Sequence, residues 1–208
     1  MVLREVGRQF IFRTCMGRTL RSRQVAGGQI AGIEFKIFSP NIDRRGRFTE
    51  VFQDNWGIGL KPVQWSIVHS RPGVLRGMYV HRRHGEYFAV VSGRASVGLK
   101  DLRPGSATEG AWSLFELTGT QLACVAFPPG VLHGWYFREP TIHLQAVSEA
   151  YANYHKDDNL GCRWNDPEVG IPWPQKKAIL ASRAQSFPSF RELAESLKDW
   201  TYPQQVSS

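Results

Sequence analysis

Apolar and polar residues alternate with a period of two along much of the chain between residues 33 and 147. This alternation is typical of strands with one buried and one exposed face. Turns rich in glycine and proline separate the runs, and no helical period lies between them. The pattern therefore predicts an all-β domain, either a sandwich or a jelly roll. The predicted strands are Glu34–Phe38, Phe48–Phe52, Pro62–His69, Tyr87–Val91, Ala95–Leu99, Trp112–Leu117, Gln121–Phe127 and Thr141–Ser148.

Turn and helix signals complete this outline. The turn Ser92-Gly93-Arg94 between two strands predicts a β-hairpin. Helical patterns occur only near the C-terminus, where Ser189 and Glu192 form a capping box and Gln175–Ala184 is a second short candidate. We expect a basic, flexible arm over residues 1–29, one domain over residues 30–200 and a tail over residues 201–208.

The net charge of +8 raises the question of a nucleic-acid partner. Residues 1–28 alone hold six arginines against one acidic residue, and the other cations are spread along the strands and turns. A cationic cavity that attracts an anionic small molecule explains this distribution, so we expect no nucleic-acid partner. No apolar run has the roughly 20 residues that span a bilayer, so we expect no membrane segment. Three scattered cysteines favour a reducing, cytoplasmic location.

Two stretches carry candidate chemistry. The first, Gly73–Gly93, contains an apolar strand after a run of histidines and arginines. The second, Phe127–Phe137, contains a Pro-Gly turn followed by a histidine. Alternation along facing strands of a barrel would bring His81, Glu86 and His133 into one cavity.

Several short motifs follow one another in a fixed order, and together they resemble the dTDP-4-dehydrorhamnose 3,5-epimerase family. The resemblance implies a cupin jelly roll with short C-terminal helices, and a homodimer. It also implies that the substrate is a nucleotide-diphosphate-linked 4-keto-6-deoxy sugar, used in deoxysugar or polysaccharide biosynthesis. The motifs are Asp43-x-Arg45-Gly46-x-Phe48-x-Glu50, Gln64, Gly73-Val74-Leu75-Arg76-Gly77, Asp101-Leu102-Arg103-x-Gly105-Ser106, Pro129-Gly130-x-x-His133-Gly134, Trp164-Asn165-Asp166-Pro167 and Ile171-x-Trp173-Pro174.

The resemblance also implies a set of substrate-binding residues. An arginine in a Leu-Arg-Gly turn meets the pyrophosphate in this family, and guanidinium groups suit phosphate because two N–H donors meet two oxygens. The histidine after the Pro-Gly turn and Gln145 would lie beside the sugar. The substrate-binding residues implied are Arg45, Glu50, Gln64, Ser66, Arg76, His133 and Gln145.

The catalytic positions of the family are altered in this chain. The family uses a histidine base, a lysine that stabilises the enolate and a tyrosine acid, whereas these positions hold Tyr79, Glu86 and Gln145. A tyrosine pKa near 10 is too high for a base at neutral pH, and a carboxylate opposes an enolate charge. We therefore expect an epimerase or isomerase with altered catalytic groups: Tyr79 as acid, His81 as base and Asp166 to orient the base, with no cofactor.

Two alternatives remain open. Metal-binding cupins share a pattern of glycine, His-x-His, glutamate and glycine that fits Gly73 to Gly93, with Tyr79 in place of the first histidine. In that interpretation His81, Glu86 and His133 bind a divalent transition metal such as iron, manganese, nickel or zinc. The third interpretation is a non-catalytic protein that binds a nucleotide sugar.

Overall fold

A computed structural model describes residues 12–13, 19–20, 24–154 and 158–202, and these fold mainly as β-strands, as the alternation predicts. Most of the predicted N-terminal arm and the end of the predicted tail lie outside these residues. The strands are β1 (Phe12–Arg13), β2 (Thr19–Leu20), β3 (Gln24–Gly27), β4 (Glu34–Ile37), β5 (Asn41–Asp43), β6 (Gly46–Phe48), β7 (Gln64–Ser70), β8 (Leu75–Val80), β9 (Glu86–Ser92), β10 (Arg94–Asp101), β11 (Trp112–Thr118), β12 (Ala123–Phe127), β13 (Val131–Phe137), β14 (Thr141–Val147) and β15 (Leu160–Gly161). The helices are a 3-10 turn (Asp54–Trp56), α1 (Tyr151–Tyr154), α2 (Ser182–Gln185) and α3 (Phe190–Leu197).

Two antiparallel sheets form the domain. Sheet 1 has the order β15-β8-β13-β10-β11-β3, and sheet 2 has the order β4-β12-β9-β14-β7. Alternate residues of both sheets point inward, and apolar side chains fill the space between them. This interior includes Phe88, Val97, Phe115, Val125 and Trp135, all almost fully buried. The chain exchanges between sheets repeatedly, which is the jelly-roll arrangement expected from the sequence.

The predicted hairpin at Ser92-Gly93-Arg94 is wrong. In the structure β9 pairs with β12 and β14, whereas β10 pairs with β11 and β13. The turn therefore carries the chain from sheet 2 to sheet 1. Gly93 has a φ of 82°, a left-handed conformation that glycine adopts without strain. Turn chemistry is similar in a hairpin and in a crossover, so the sequence alone did not separate the two.

Two other predicted elements differ. The alternation over Phe48–Phe52 belongs mostly to an irregular segment, since β6 ends at Phe48. The helix expected over Gln175–Ala184 is reduced to α2, because the chain before it is irregular and Ile179 forms a bridge with Val74, just before β8. Tertiary pairing overrides local helical preference here.

The C-terminal segments cover the outer face of sheet 1. Helix α3 begins at the predicted capping box, where Ser189 and Glu192 exchange side-chain and backbone hydrogen bonds. Its buried Leu193 and Leu197 pack into a second apolar cluster with residues of β8 and β11. At the other end of the chain β3 pairs with β11, so sheet 1 includes residues that the sequence pattern assigned to the arm. No helix in the described ranges is long and apolar enough to cross a membrane.

Candidate active site

The pairing of β8 with β13 sets the first wall of the site. Tyr79 lies opposite His133, and Gly77 lies opposite Gly134. A Cβ at Gly77 would lie 2.7 Å from the Cα of Gly134, and the φ of Gly77 is 137°, so only glycine permits this close approach. The two glycines thus let the strands meet closely just where Tyr79 and His133 face each other.

Sheet 2 supplies the second wall. Glu86 begins β9, and Gln145 lies on the neighbouring strand β14. The carboxylate of Glu86 lies 3.1 Å from Nε2 of His81 and 3.4 Å from Nε2 of His133. The side-chain amide of Gln145 donates to both oxygens of Glu86 at 3.2 Å. The structure therefore brings His81, Glu86 and His133 together, as the facing strands predict.

The outer nitrogens of the two imidazoles fix their tautomers. Nδ1 of His81 lies 2.5 Å from the backbone oxygen of Asp158, and Nδ1 of His133 lies 3.0 Å from the backbone oxygen of Val131. A carbonyl oxygen only accepts, so each Nδ1 carries a proton. In a neutral imidazole, Nε2 then presents a lone pair, and both lone pairs are directed at the Glu86 carboxylate.

Burial and charge act in opposite directions on these groups. Burial disfavours the ionised form of Glu86, but the neighbouring imidazoles of His133 and His81 outweigh it and lower the Glu86 pKa to about 2. Burial lowers the pKa of His133 to about 4, in spite of the attraction of Glu86. Burial also disfavours charged His81, yet its contact with Glu86 raises its pKa overall. The result is an ionised carboxylate between a more basic and a less basic imidazole.

Tyr79 borders this cluster and is partly exposed. Its ring packs edge-on against Phe187 and lies 6.4 Å, between ring centroids, from His133. Burial raises the pKa of the phenol, although the charges of Arg183 and Arg76 partly oppose the rise. The raised pKa keeps the phenol protonated at neutral pH, so Tyr79 can donate a proton.

Asp158 is a site residue that the sequence pattern did not reveal. Its carboxylate accepts the backbone N–H groups of Arg82 at 2.6 Å and Arg83 at 3.0 Å, and Nδ1 of His84 at 2.9 Å. His84 stacks on His81, with ring centroids 3.9 Å apart. Asp158 thus holds the turn and the ring against which His81 rests. No spacing rule connects Asp158 to His81, which lies 77 positions earlier.

The structure places Asp166 at a turn and a helix start, and not against His81. Its carboxylate accepts the backbone N–H of Glu168 at 3.0 Å and of Phe190, the first residue of α3, at 2.9 Å. Asp166 therefore stabilises a turn and the start of a helix, as carboxylates do at helix N-termini. The backbone oxygen of Asp158 is the group that orients His81.

The residues expected to bind the nucleotide fall into two groups. Arg76 lies on β8 of sheet 1 and donates from Nε to Ser70 at 3.0 Å. Gln64 and Ser66 lie on β7, the edge strand of sheet 2, with Ser66 opposite Gln145. Arg45 and Glu50 instead belong to the exposed β5–β6 hairpin and the segment that follows it. The Arg45 guanidinium binds Asp43 at 2.6 Å, so within this protomer it is not directed at the cluster.

A separate cavity of about 450 Å³ lies beside the barrel. It is lined by charged groups that already have partners: Glu34 accepts from the backbone of Gly59, and Arg103 binds Asp101. In the buried His81–Glu86–His133 cluster, by contrast, the Nε2 atoms of both histidines face the carboxylate of Glu86. We therefore place the candidate active site at the cluster and not at this cavity.

The architecture and site define a cupin jelly roll whose barrel holds two histidines and a carboxylate. The model of the dTDP-4-dehydrorhamnose 3,5-epimerase family matches residues 29–192, and the chain belongs to this family of isomerases. A dTDP-4-dehydrorhamnose 3,5-epimerase of Sinorhizobium fredii is 29% identical over 178 residues, which is 79% of this chain and 89% of the relative.

Solved structures agree with this assignment. NovW of Streptomyces spheroides, a 4-keto-6-deoxy sugar epimerase, has a TM-score of 0.75 and 25% identity, over 89% of this chain and 96% of its own. An epimerase of Legionella pneumophila, solved in complex with dTDP-4-keto-L-rhamnose, has a TM-score of 0.68 and 26% identity. That match covers 80% of this chain and 94% of the Legionella chain. The predicted family and fold are therefore confirmed.

Proposed function

We propose that this protein binds a nucleotide-diphosphate-linked 4-keto-6-deoxy sugar and isomerises it by moving a proton next to the ketone. Family membership supports the reaction class, and the relatives named above act on or bind sugars of this kind. The observation that carries the proposal is the ionised Glu86 held between His81 and His133, next to the partly exposed phenol of Tyr79.

The proposed step is an enolisation. A base removes the proton from the carbon next to the ketone, the C–H electron pair moves to form the enolate, and its negative charge rests on the ketone oxygen. In the metal-free site His81 is the base, because Glu86 raises its pKa and the Asp158 backbone fixes its ring. Tyr79 then returns a proton to carbon from the other side, which inverts the centre. If instead the hydroxyl on the deprotonated carbon loses its proton, and the former ketone carbon and its oxygen each gain one, the ketone moves to the neighbouring carbon.

The nucleotide half of the proposal rests on arginine chemistry. Arg76 lies close enough to Tyr79 and His143 for its charge to lower their pKa values. We propose that Arg76 binds the pyrophosphate and that Gln64, Ser66 and Gln145 contact the rest of the substrate. Bidentate contact between guanidinium and phosphate supplies both affinity and orientation.

Assembly into a homodimer would complete the set of substrate-binding residues. The outer face of sheet 2 leaves Ile67 68% exposed, and the β5–β6 hairpin leaves Phe48 65% exposed. Large exposed apolar side chains of this kind are typical of protein interfaces. We propose that a second copy covers this face, and that Arg45 and Glu50 reach a nucleotide only in that assembly. The two described cysteines, Cys124 and Cys162, are free thiols, which suits the cytoplasmic location we propose.

Incubation of the protein with dTDP-4-keto-6-deoxyglucose in heavy water tests the proposal. Proton NMR should show loss of the sugar signal at C3, at C5, or at both, with turnover in the range of roughly 1–1000 per second that is usual for enzymes. Binding without exchange at either carbon would instead identify a non-catalytic nucleotide-sugar-binding protein and overturn the isomerase proposal.

A further inference from the structure

Three electron-pair donors converge in the barrel, and when both imidazoles are neutral no proton lies between them. The Nε2 atoms of His81 and His133 and a carboxylate oxygen of Glu86 all lie within 4.8 Å of one another, and all three side chains are buried. Because both Nδ1 atoms donate to backbone oxygens, neutral rings direct only lone pairs at the carboxylate. The amide of Gln145 donates to Glu86 in every protonation state of the cluster.

A cation satisfies this arrangement better than a single proton. A proton shared by His81 and Glu86 resolves one repulsive pair, but it leaves Nε2 of His133 3.4 Å from the second oxygen of Glu86. A metal ion accepts all three donors at once. We propose that His81, Glu86 and His133 form a binding site for one divalent transition-metal ion.

The surrounding hydrogen bonds have the form that metal sites require. Metal-bound histidine usually donates its other ring N–H to a carbonyl or carboxylate, which fixes the ring and the tautomer. His81 and His133 both do so, through Asp158 and Val131. Two imidazoles and one carboxylate suit manganese, iron, cobalt, nickel or zinc, and they leave positions for ligands from solvent or substrate.

A neighbouring trio, His81, His84 and Asp158, is also compact enough for a metal. Its carboxylate, however, already accepts two backbone N–H groups and the N–H of His84. Those donors occupy the lone pairs that a metal would need, so this trio fixes the turn. The contrast assigns the metal to the Glu86 cluster.

The nearby arginines do not oppose a cation. Arg83 extends outward to Glu149 at 3.2 Å with half of its side chain exposed, and Arg82 lies 4.0 Å from Asp158 with 40% exposed. A bound ion would also neutralise Glu86, which otherwise opposes an enolate on the ketone oxygen. This consequence rests on the proposed function, and His81 would then serve as a base only in the metal-free protein.

Metal content and metal titration test the site. Tag-free protein purified without chelator should contain about one transition-metal ion per chain, measured by inductively coupled plasma mass spectrometry. Chelator-treated protein should then bind Co(II) with one-to-one stoichiometry, followed by visible absorption, and should melt at a higher temperature when loaded. His133→Gln and Glu86→Gln should each weaken Co(II) binding by at least about 100-fold, since even loss of a ligand's hydrogen-bond partner costs about 10–100-fold.

His69→Gln is the matched control, because His69 is exposed on β7, and it should bind Co(II) like the unchanged protein. Circular dichroism checks that the variants fold, and the metal-induced rise in melting temperature needs no variant. Stripped protein that takes up no Co(II), or equal uptake by His133→Gln and the unchanged protein, would overturn the metal site. Calorimetry of dTDP binding to the stripped protein tests the nucleotide proposal separately, so either can fail alone.

Discussion

Asp101 and Glu86 are two of the carboxylates buried in this protein, and their surroundings differ. Asp101 receives hydrogen bonds from Arg103, Ser106 and Thr108, so that both of its oxygens face N–H or O–H donors at 2.7 Å. Glu86 faces two imidazole nitrogens, and among the described residues the Gln145 amide is the donor that does not depend on a histidine tautomer. Asp101 is 0% exposed and Glu86 is 3% exposed, so burial does not separate them.

This difference distinguishes a carboxylate that stabilises the fold from one that can take part in a reaction. A buried charge with all its acceptors satisfied stabilises the fold that contains it, and it has no capacity left for a ligand. A buried charge that faces other acceptors needs a proton or a cation, and so it can exchange one with a substrate. We therefore assign Asp101 to the architecture and Glu86 to the reaction.

The largest expected effect is on stability. Asp101→Ala leaves Arg103 buried without its partner and should lower the free energy of unfolding by about 3–5 kcal/mol. Urea denaturation followed by circular dichroism measures it. Asp43→Ala, which removes the exposed partner of Arg45, is the matched control and should leave stability unchanged. A small loss for Asp101→Ala would break the comparison, because Asp101 would then not be structural.

Acid titration sharpens the same comparison. Burial favours the neutral form of Asp101, but the bonds from Arg103, Ser106 and Thr108 outweigh it and lower its pKa below the ordinary value of 3.8. Its contribution to stability is therefore fully present above pH 3.8 and is lost as the pH falls through the folded pKa, because the unfolded chain takes up the proton first. Asp101→Asn should flatten this acid limb of the stability profile, and an unchanged limb would contradict the assignment.

A smaller effect is expected on the affinity for dTDP, which can be measured separately from catalysis. Arg76→Ala should weaken dTDP binding by about 1.5–3 kcal/mol, the range for hydrogen bonds to charged groups. Isothermal calorimetry measures this loss, with Arg94→Ala as the control, since Arg94 is a partly exposed arginine paired with Glu116. Equal affinity of the Arg76 variant and the unchanged protein would remove Arg76 from the pyrophosphate site.

The sequence predicted those parts of the molecule whose partners are close along the chain. Asp101 and Arg103 are two positions apart, and their motif was visible without the fold. Ser189 and Glu192 are three apart, and the helix start they predict is confirmed. In both cases local geometry alone brings the groups together.

The site depends on contacts that strand register decides. Alternation indicated that His81, Glu86 and His133 face one interior, which the structure confirms. It gave no signal for Asp158, because loop residues follow no period. It also misplaced Asp166, since a motif that recurs in a family does not say which hydrogen bonds its carboxylate makes.

Proton exchange in a Glu86 variant tests the central claim most directly. In heavy water with dTDP-4-keto-6-deoxyglucose, Glu86→Gln should slow exchange at C3 and C5, because His81 loses the carboxylate that raises its pKa. We expect a loss of about 100- to 10,000-fold relative to the unchanged protein, the usual contribution of an acid–base group such as His81. Binding of dTDP, which we propose depends on Arg76 and not on Glu86, should stay within about twofold. That is well below the tenfold change that corresponds to about 1.4 kcal/mol. Exchange by Glu86→Gln at the unchanged rate would show that the buried cluster is not the reaction centre.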